Sequence, residues 1–167
     1  MNWVVTTKSV SQDAIEFCRT WLALFECDSL ERIVLNRGKV GYGVYGWCDY
    51  IPENPRPYEI YLKVPGPFPF TVSTKEPSVK FKIYGLSKAI PDDHVISSTN
   101  VDRSEETVKV RLETKTILNS PDEGLVFLFG HELHHYLSAE DQLETEDSEY
   151  NADAYGRLLL DRYRGTQ

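Results

Sequence analysis

The chain has 167 residues, 41% of them hydrophobic, which is enough to bury one core, so we expect a single domain over residues 1–167. Its formal net charge of −8 repels the phosphates of nucleic acids and of anionic lipids, which excludes both as expected partners. No segment resembles a membrane helix, the first residues lack a secretory signal, and Cys18, Cys27 and Cys48 show no CxxC spacing, so we expect a cytoplasmic protein without disulfides.

The first predicted element is an amphipathic helix between Ser11 and about Phe25. Ile15, Cys18 and Leu22 recur there at steps of three and four residues, which is the spacing of one helix face. The pattern predicts an N-terminal helix that buries one side and exposes the other.

Four later segments alternate between apolar and other residues, which is typical of strands with one buried face. They are 40–44, 58–64, 79–83 and 108–112. Eight of the nine prolines lie between Pro52 and Pro91, where they favour turns and disfavour helices between strands. We therefore expect a twisted, mostly antiparallel sheet of about four strands.

Two further helices are predicted in the C-terminal third. Ser120 is a candidate N-cap, followed by Pro121 at the first helical position and Glu123 three residues after the cap. This helix runs to about Leu137 and is apolar enough to be central. After an acidic stretch, helical spacing resumes and continues to about Arg164, so the predicted fold class is α+β.

The central helix contains the stretch GHELHHYL. His131 and His135 are four residues apart and therefore share one helix face, from which two neutral imidazoles can reach one zinc ion. Glu132 follows the first histidine and lies about 100° around the helix, beside the metal rather than at it. The stretch satisfies HExxH, which joins two metal ligands to one general base.

The last helix supplies a candidate third ligand in the sequence EYNAD. Catalytic zinc usually has three protein ligands and one open position, and Glu149 could complete such a set. Asp153 lies one turn later on the same face, where it could accept a hydrogen bond from His131 and fix its tautomer. The small residues Ala152 and Gly156 would let this helix approach the HExxH helix closely.

HExxH followed by glutamate and, four residues later, aspartate resembles the gluzincin metallopeptidases. The short gap and the small chain are more similar to minimal cytoplasmic gluzincins of the ImmA/IrrE type. The resemblance covers about residues 107–160, with motif matches at 131–135 and 149–153. It implies a small zincin-like domain with one zinc ion, a central HExxH helix and a C-terminal helix that carries the glutamate ligand.

Several other residues are candidates for supporting roles. His134 is expected to lie at the surface or to contact one of the metal-binding side chains without binding the metal itself. The acidic segment 140–147 lacks the order of a calcium loop, so we expect a solvated loop, which would favour basic substrates. A group that stabilises the developing oxyanion by donating a hydrogen bond is expected among His94, Tyr136, Tyr150 and Tyr155.

The predicted function is zinc-dependent hydrolysis of a peptide bond in a protein substrate, with Glu132 as general base. An extended peptide would pair with a strand edge, at residues 107–117 or 79–84. One alternative is a zinc amidase on a small substrate, which would use Cys48 as a ligand. Another is a non-catalytic zinc domain that only binds a protein. We also expect a regulatory protein partner or a closed cleft, because an unrestricted peptidase would damage other proteins.

Overall fold

The computed structural model describes residues 2–36, 45–64, 66–82, 95–102 and 107–166. The chain forms two compact units, Met1–Phe70 with Leu118–Gln167, and Thr71–Ile117. Compact units can be parts of one domain, so the single domain over residues 1–167 stays a prediction. The candidate site residues belong to the first unit, except His94, which lies outside the described residues.

The first unit contains a sheet of four strands. They are β1 (Asn2–Val5), β2 (Leu30–Asn36), β3 (Tyr45–Tyr50) and β4 (Tyr58–Lys63), in the order β1-β2-β4-β3. β1 and β2 pair in parallel, as do β2 and β4, while β3 is antiparallel to β4. Helix α1 (Gln12–Leu22) connects β1 to β2, which is the crossover that a parallel pair requires.

The α+β class is confirmed, but the mostly antiparallel sheet is wrong for this unit, where the sheet is mixed. The sequence predicted α1 correctly without recognising β1 before it, because a four-residue strand is too short to show an alternating pattern. The predicted strand 58–64 is confirmed as β4. The predicted strand 40–44 lies outside the described residues.

The two remaining predicted strands, 79–83 and 108–112, belong to a second sheet of four strands. Its strands are β5 (Phe70–Lys75), β6 (Val79–Lys82), β7 (Val95–Asp102) and β8 (Thr107–Leu118), with β6 and β7 antiparallel to β8. In β8, Val108, Val110 and Leu112 are buried while Lys109 and Lys115 are exposed. The alternation that predicted this strand therefore corresponds to one buried and one solvent-facing side.

Two helices follow the second sheet, α2 (Pro121–Ala139) and α3 (Glu149–Arg164), as predicted. The Ser120 hydroxyl accepts a hydrogen bond from the Glu123 backbone N–H at 3.2 Å, which confirms the predicted cap of α2. Ser148 caps α3 in the same way, through the backbone N–H of Asn151. None of the helices in the described parts of the chain combines the length and apolarity needed to cross a bilayer.

Glycines set the distance between α2 and α3. A Cβ atom at Gly156 would lie 2.7 Å from the backbone oxygen of Phe127, and one at Gly130 would lie 2.9 Å from the Cα atom of Gly156. Real Cβ atoms do not approach so closely, so both positions need glycine at the present helix separation. The predicted close approach of the two helices is confirmed, and it brings the start of α3 beside the histidines of α2.

The core of the first unit lies between the sheet and the helices. Leu22 of α1, Ile33 and Leu35 of β2, and Phe129 and Leu133 of α2 are almost completely buried in one cluster. The burial of α2 on nearly all sides explains why its sequence is more apolar than that of a surface helix. This packing fixes the direction in which His131, Glu132 and His135 leave the helix.

Candidate metal centre

Three side chains bring nitrogen and oxygen atoms to one point. The Nε2 atoms of His131 and His135 on α2 are 3.3 Å apart. From Glu149, the first residue of α3, Oε2 lies 3.4 Å from Nε2 of His131 and Oε1 lies 3.6 Å from Nε2 of His135. Two ligand atoms at zinc–ligand distances of 2.0–2.1 Å and a tetrahedral angle are about 3.3–3.4 Å apart. The three predicted ligands are therefore spaced as a zinc ligand set.

The protonation of the two histidine rings fits the same conclusion. The Nδ1–H of His131 donates to Oδ1 of Asp153 at 2.8 Å, and the Nδ1–H of His135 donates to Oδ1 of Asp147 at 2.6 Å. In a neutral ring this leaves each Nε2 with a lone pair and no proton. Two lone pairs and a carboxylate converge without a hydrogen-bond donor among them, which is an arrangement that suits a cation.

A second group of potential ligands, His134, His135 and Asp147, overlaps with the first. The 2.6 Å between Nδ1 of His135 and Oδ1 of Asp147 is the length of a hydrogen bond to a charged group. It is shorter than the separation of about 3.3 Å expected of two ligands on one zinc ion. We therefore interpret this contact as a hydrogen bond, with Nε2 of His135 left for the first group.

Glu132 has the environment of an acid–base group. Its side chain is 3% exposed and is packed against Gly46 of β3, where a Cβ atom would lie 2.9 Å from Oε1. Burial raises the pKa of Glu132 to about 7, although the charges of His131 and His135 act in the opposite direction. A carboxyl with a pKa near neutrality can both take up and release a proton under physiological conditions.

The electrostatics of His131 are set by the carboxylates around it. Burial lowers its pKa, but the hydrogen bond to Asp153 and the charges of Glu132, Asp153 and Glu149 outweigh burial and raise the pKa above the ordinary value. The carboxylates around the ring thus make its nitrogen more basic than that of an ordinary histidine.

The candidate ligands and Glu132 face a cavity of about 390 Å³. Its other walls are Gly46, Trp47 and Cys48 of β3, Tyr58 of β4, Ala139 of α2, and Asp147. Three carboxylates and two histidines line it, whereas no Lys or Arg of the described residues does so. The cavity thus presents negative charge beside the point where the three ligand atoms meet.

Three of the four predicted oxyanion stabilisers are described by the structure, and these three do not line the cavity. Tyr136 is completely buried and shares a hydrogen bond with Ser29, and the Tyr155 hydroxyl accepts a hydrogen bond from the indole N–H of Trp21. Tyr150 is not among the lining residues, and His94 lies outside the described residues. The structure thus brings none of the three described candidates, Tyr136, Tyr150 and Tyr155, to the cavity.

Tyr58 is the phenol that does line the cavity, and the sequence analysis missed it. It packs edge-on against the ring of Tyr136, with the ring centres 5.3 Å apart. Burial raises its pKa above the ordinary value, so the hydroxyl keeps its proton at neutral pH and can donate it in a hydrogen bond. The alternating pattern around Tyr58 predicted a strand but no functional role, because residues of the core and residues that line a cavity show the same alternation.

Cys48 lies in the cavity wall but belongs to neither group of potential metal ligands among the described residues. Burial, with a contribution from the charge of Glu132, raises its pKa to about 12. The side chain is therefore a neutral thiol at physiological pH in the absence of a metal. Glu149 fits the position of the third ligand better than Cys48 does.

Comparison with known proteins gives no match for this chain. No family model, no curated protein and no solved structure matches it. The arguments for a function therefore come from the geometry of the cavity and its residues.

Proposed function

We propose that this chain is a zinc-dependent peptidase of the gluzincin type, similar to the minimal ImmA/IrrE-like enzymes. The observation that carries the proposal is the spacing of His131, His135 and Glu149, whose ligand atoms are 3.3–3.6 Å apart. A buried carboxyl beside this group, Glu132, supports a catalytic rather than a purely structural site, because a structural site needs no proton acceptor.

The residues of the chain have separate roles in this proposal. His131, His135 and Glu149 would hold the zinc ion, and Asp153 and Asp147 orient the two imidazoles. When bound, zinc supplies a Lewis acid that makes a carbonyl more electrophilic and water more acidic. Glu132 takes the proton from the attacking water and passes it to the amine that leaves, because it is the buried carboxyl that lines the cavity beside the ligands.

The cavity favours β3 as the strand that binds the substrate. The edges at 107–117 and 79–84 belong to the second unit, and none of their described residues lines the cavity. β3 does line it, and among the described strands of its sheet β3 is an end strand. An extended peptide that pairs with an end strand gains backbone hydrogen bonds and passes its side chains to alternate sides. We therefore place the proposed peptide along β3.

The charge of the cavity favours a basic substrate. Glu132, Asp147 and Glu149 line it without a Lys or Arg among the described lining residues. A bound zinc ion would neutralise two of these three negative charges, so one remains to attract cationic ligands and repel anionic ones. A peptide with Lys or Arg near the cleaved bond is thus the substrate class that the walls support best.

Replacement of Glu132 by Gln tests the proposal, because it removes the proton acceptor and keeps the size of the side chain. We expect cleavage to fall by about 10²- to 10⁴-fold while the zinc content stays near one ion per chain. The measurements are metal analysis of the purified protein and a proteome-wide comparison of cleavage products between wild type and variant.

Glu144→Gln is the matched control, since Glu144 is an exposed glutamate outside the cavity lining. It should cleave like wild type. Full activity of Glu132→Gln, or purified wild type without zinc, would contradict the proposal. Zinc binding without any cleavage would favour the non-catalytic alternative.

A further inference from the structure

The segment 140–148, which joins α2 to α3, is attached to the metal centre by side-chain contacts. The sequence predicted a solvated loop here. Residues 144–147 are exposed, in agreement with this prediction. Oδ1 of Asp147 nevertheless accepts a hydrogen bond from Nδ1–H of His135 at 2.6 Å, and Oγ1 of Thr145 lies 3.0 Å from Nε2 of His134. Two neighbouring histidines of α2 thus each contact the same short segment.

We infer that Asp147 is a positioning residue for His135 and that the contact between His134 and Thr145 holds the segment that carries it. This role rests on the proposed metal centre. An imidazole has two neutral tautomers and can rotate about its bond to the main chain. A carboxylate bonded to Nδ1–H selects the tautomer whose Nε2 is free and aims that atom at the shared point.

Asp147 alone would be a weak restraint, because its side chain is 54% exposed and competes with water. The rest of the segment compensates for this exposure. The side-chain amide of Gln142 accepts from the backbone N–H of Glu26 at 3.2 Å and donates to its backbone oxygen at 2.6 Å. At the other end, the side-chain N–H of Asn151 donates to the backbone oxygen of Glu146 at 2.8 Å. The carboxylate is therefore held in place before it bonds to His135.

The contact between His134 and Thr145 is the third attachment of the segment. The histidine is 1% exposed, so its ring is shielded from water. Its other ring nitrogen, Nδ1, has no partner among the described residues, which leaves the contact with Thr145 as the hydrogen bond of this ring there. Because a buried imidazole loses free energy when unpaired, His134 keeps Thr145, and with it Asp147, close to α2.

The test uses three variants of the full chain: Asp147→Ala, Asp147→Asn and Thr145→Val. Nitrogen-15 spectra of the metal-free protein report which ring nitrogen of His135 carries the proton, and competition with a chelator gives the zinc dissociation constant. We expect Asp147→Ala to lose the Nδ1–H tautomer and to bind zinc about 10- to 100-fold more weakly. Asp147→Asn keeps an acceptor oxygen, so it should retain part of the Nδ1–H tautomer and part of the zinc affinity. Thr145→Val should change the tautomer and the affinity less than Asp147→Ala does.

Glu146→Gln is the matched control, because it removes an exposed acidic side chain from the next position without changing a contact to histidine. It should leave the tautomer and the dissociation constant within about twofold of wild type. An unchanged His135 tautomer and unchanged zinc affinity in Asp147→Ala would overturn the inference. Neither readout requires peptide cleavage, so an inactive protein that still shows these changes would contradict the proposed function and support the role of Asp147.

Discussion

The two proposed ligand histidines lie one helical turn apart, but their partners come from different kinds of structure. Asp153 lies on α3, where its side chain is 15% exposed, whereas Asp147 lies in the segment 140–148 and is 54% exposed. The hydrogen bonds are similar, at 2.8 and 2.6 Å. The difference teaches that packing of two helices fixes the first partner, while side-chain attachments of a loop fix the second.

The largest expected effect is on zinc affinity, and it compares the partners Asp153 and Asp147 directly. Asp153→Asn should weaken zinc binding by about 100-fold and Asp147→Asn by about tenfold. Water can partly compensate for the lost carboxylate charge at the exposed position of Asp147, but much less so at the more buried position of Asp153. Chelator competition on the two variants, side by side with wild type, measures the difference. Equal losses would show that burial of the partner does not determine its contribution.

Gly156→Ala tests whether the packing of α2 against α3 fixes the position of Asp153. The added Cβ atom would lie 2.7 Å from the backbone oxygen of Phe127, so α2 and α3 must move apart. We expect the free energy of unfolding to fall by about 1–3 kcal/mol, and zinc affinity to fall with it, since α3 carries Glu149 and Asp153. Urea denaturation and chelator competition provide the two measurements.

Gly165→Ala serves as the control at the end of the same helix. A Cβ atom there would lie 3.5 Å from its nearest neighbours, the backbone oxygens of Asp161 and Arg162, and the backbone φ is −71°. Its unfolding free energy and zinc affinity should match wild type. If both glycine variants behaved alike, the close approach of the two helices would not be the cause.

A smaller effect is expected at Glu59, a buried carboxylate outside the cavity, whose partner is a permanent cation rather than a neutral ring. Arg32 donates to it at 2.9 Å. Burial raises the pKa of Glu59, but hydrogen bonds from Tyr61 and Arg32 and the charge of Arg32 outweigh this and lower it. Because the folded-state pKa is depressed, the stabilisation is present above the unfolded-state pKa and is lost as pH falls through the folded-state value.

Glu59→Gln should therefore destabilise the protein by about 1 kcal/mol at about pH 7, and by less as pH falls through the folded-state pKa of Glu59, where wild type loses the same charge. Urea denaturation at a series of pH values measures how the difference changes. Zinc affinity at neutral pH should not change, which distinguishes Glu59 from Asp147 and Asp153. A constant difference across this pH range would contradict the assigned role of the carboxylate charge.

The residues that could be predicted are those whose spacing follows a regular period. Four-residue steps on helices placed His131 with His135, and Glu149 with Asp153, and the structure brings all four together. Asp147 could not be predicted in this way, because the path of a loop has no period that sequence reveals. Its proximity to His135 depends on the attachments at Gln142 and Thr145.

The same reasoning explains the fold. Alternation identified β4 and β8, each with one buried face. β2 was missed because Ile33, Val34 and Leu35 are buried in succession, which is typical of a parallel strand inside a sheet rather than of an alternating one. Tyr58 was assigned to a strand correctly, but only the three-dimensional arrangement distinguishes a residue of the core from one that lines a cavity.

The contact between Gly46 and Glu132 has a mechanical consequence. With no side chain at position 46, the carboxylate of Glu132 is packed directly against the backbone of β3. Close-packed protein interiors are stiff, so a displacement of the strand is passed to the atoms that touch it. A chain that pairs with β3 and changes its twist would thereby displace the carboxylate as well, and the alignment of the acid would respond to strain in the strand beside it.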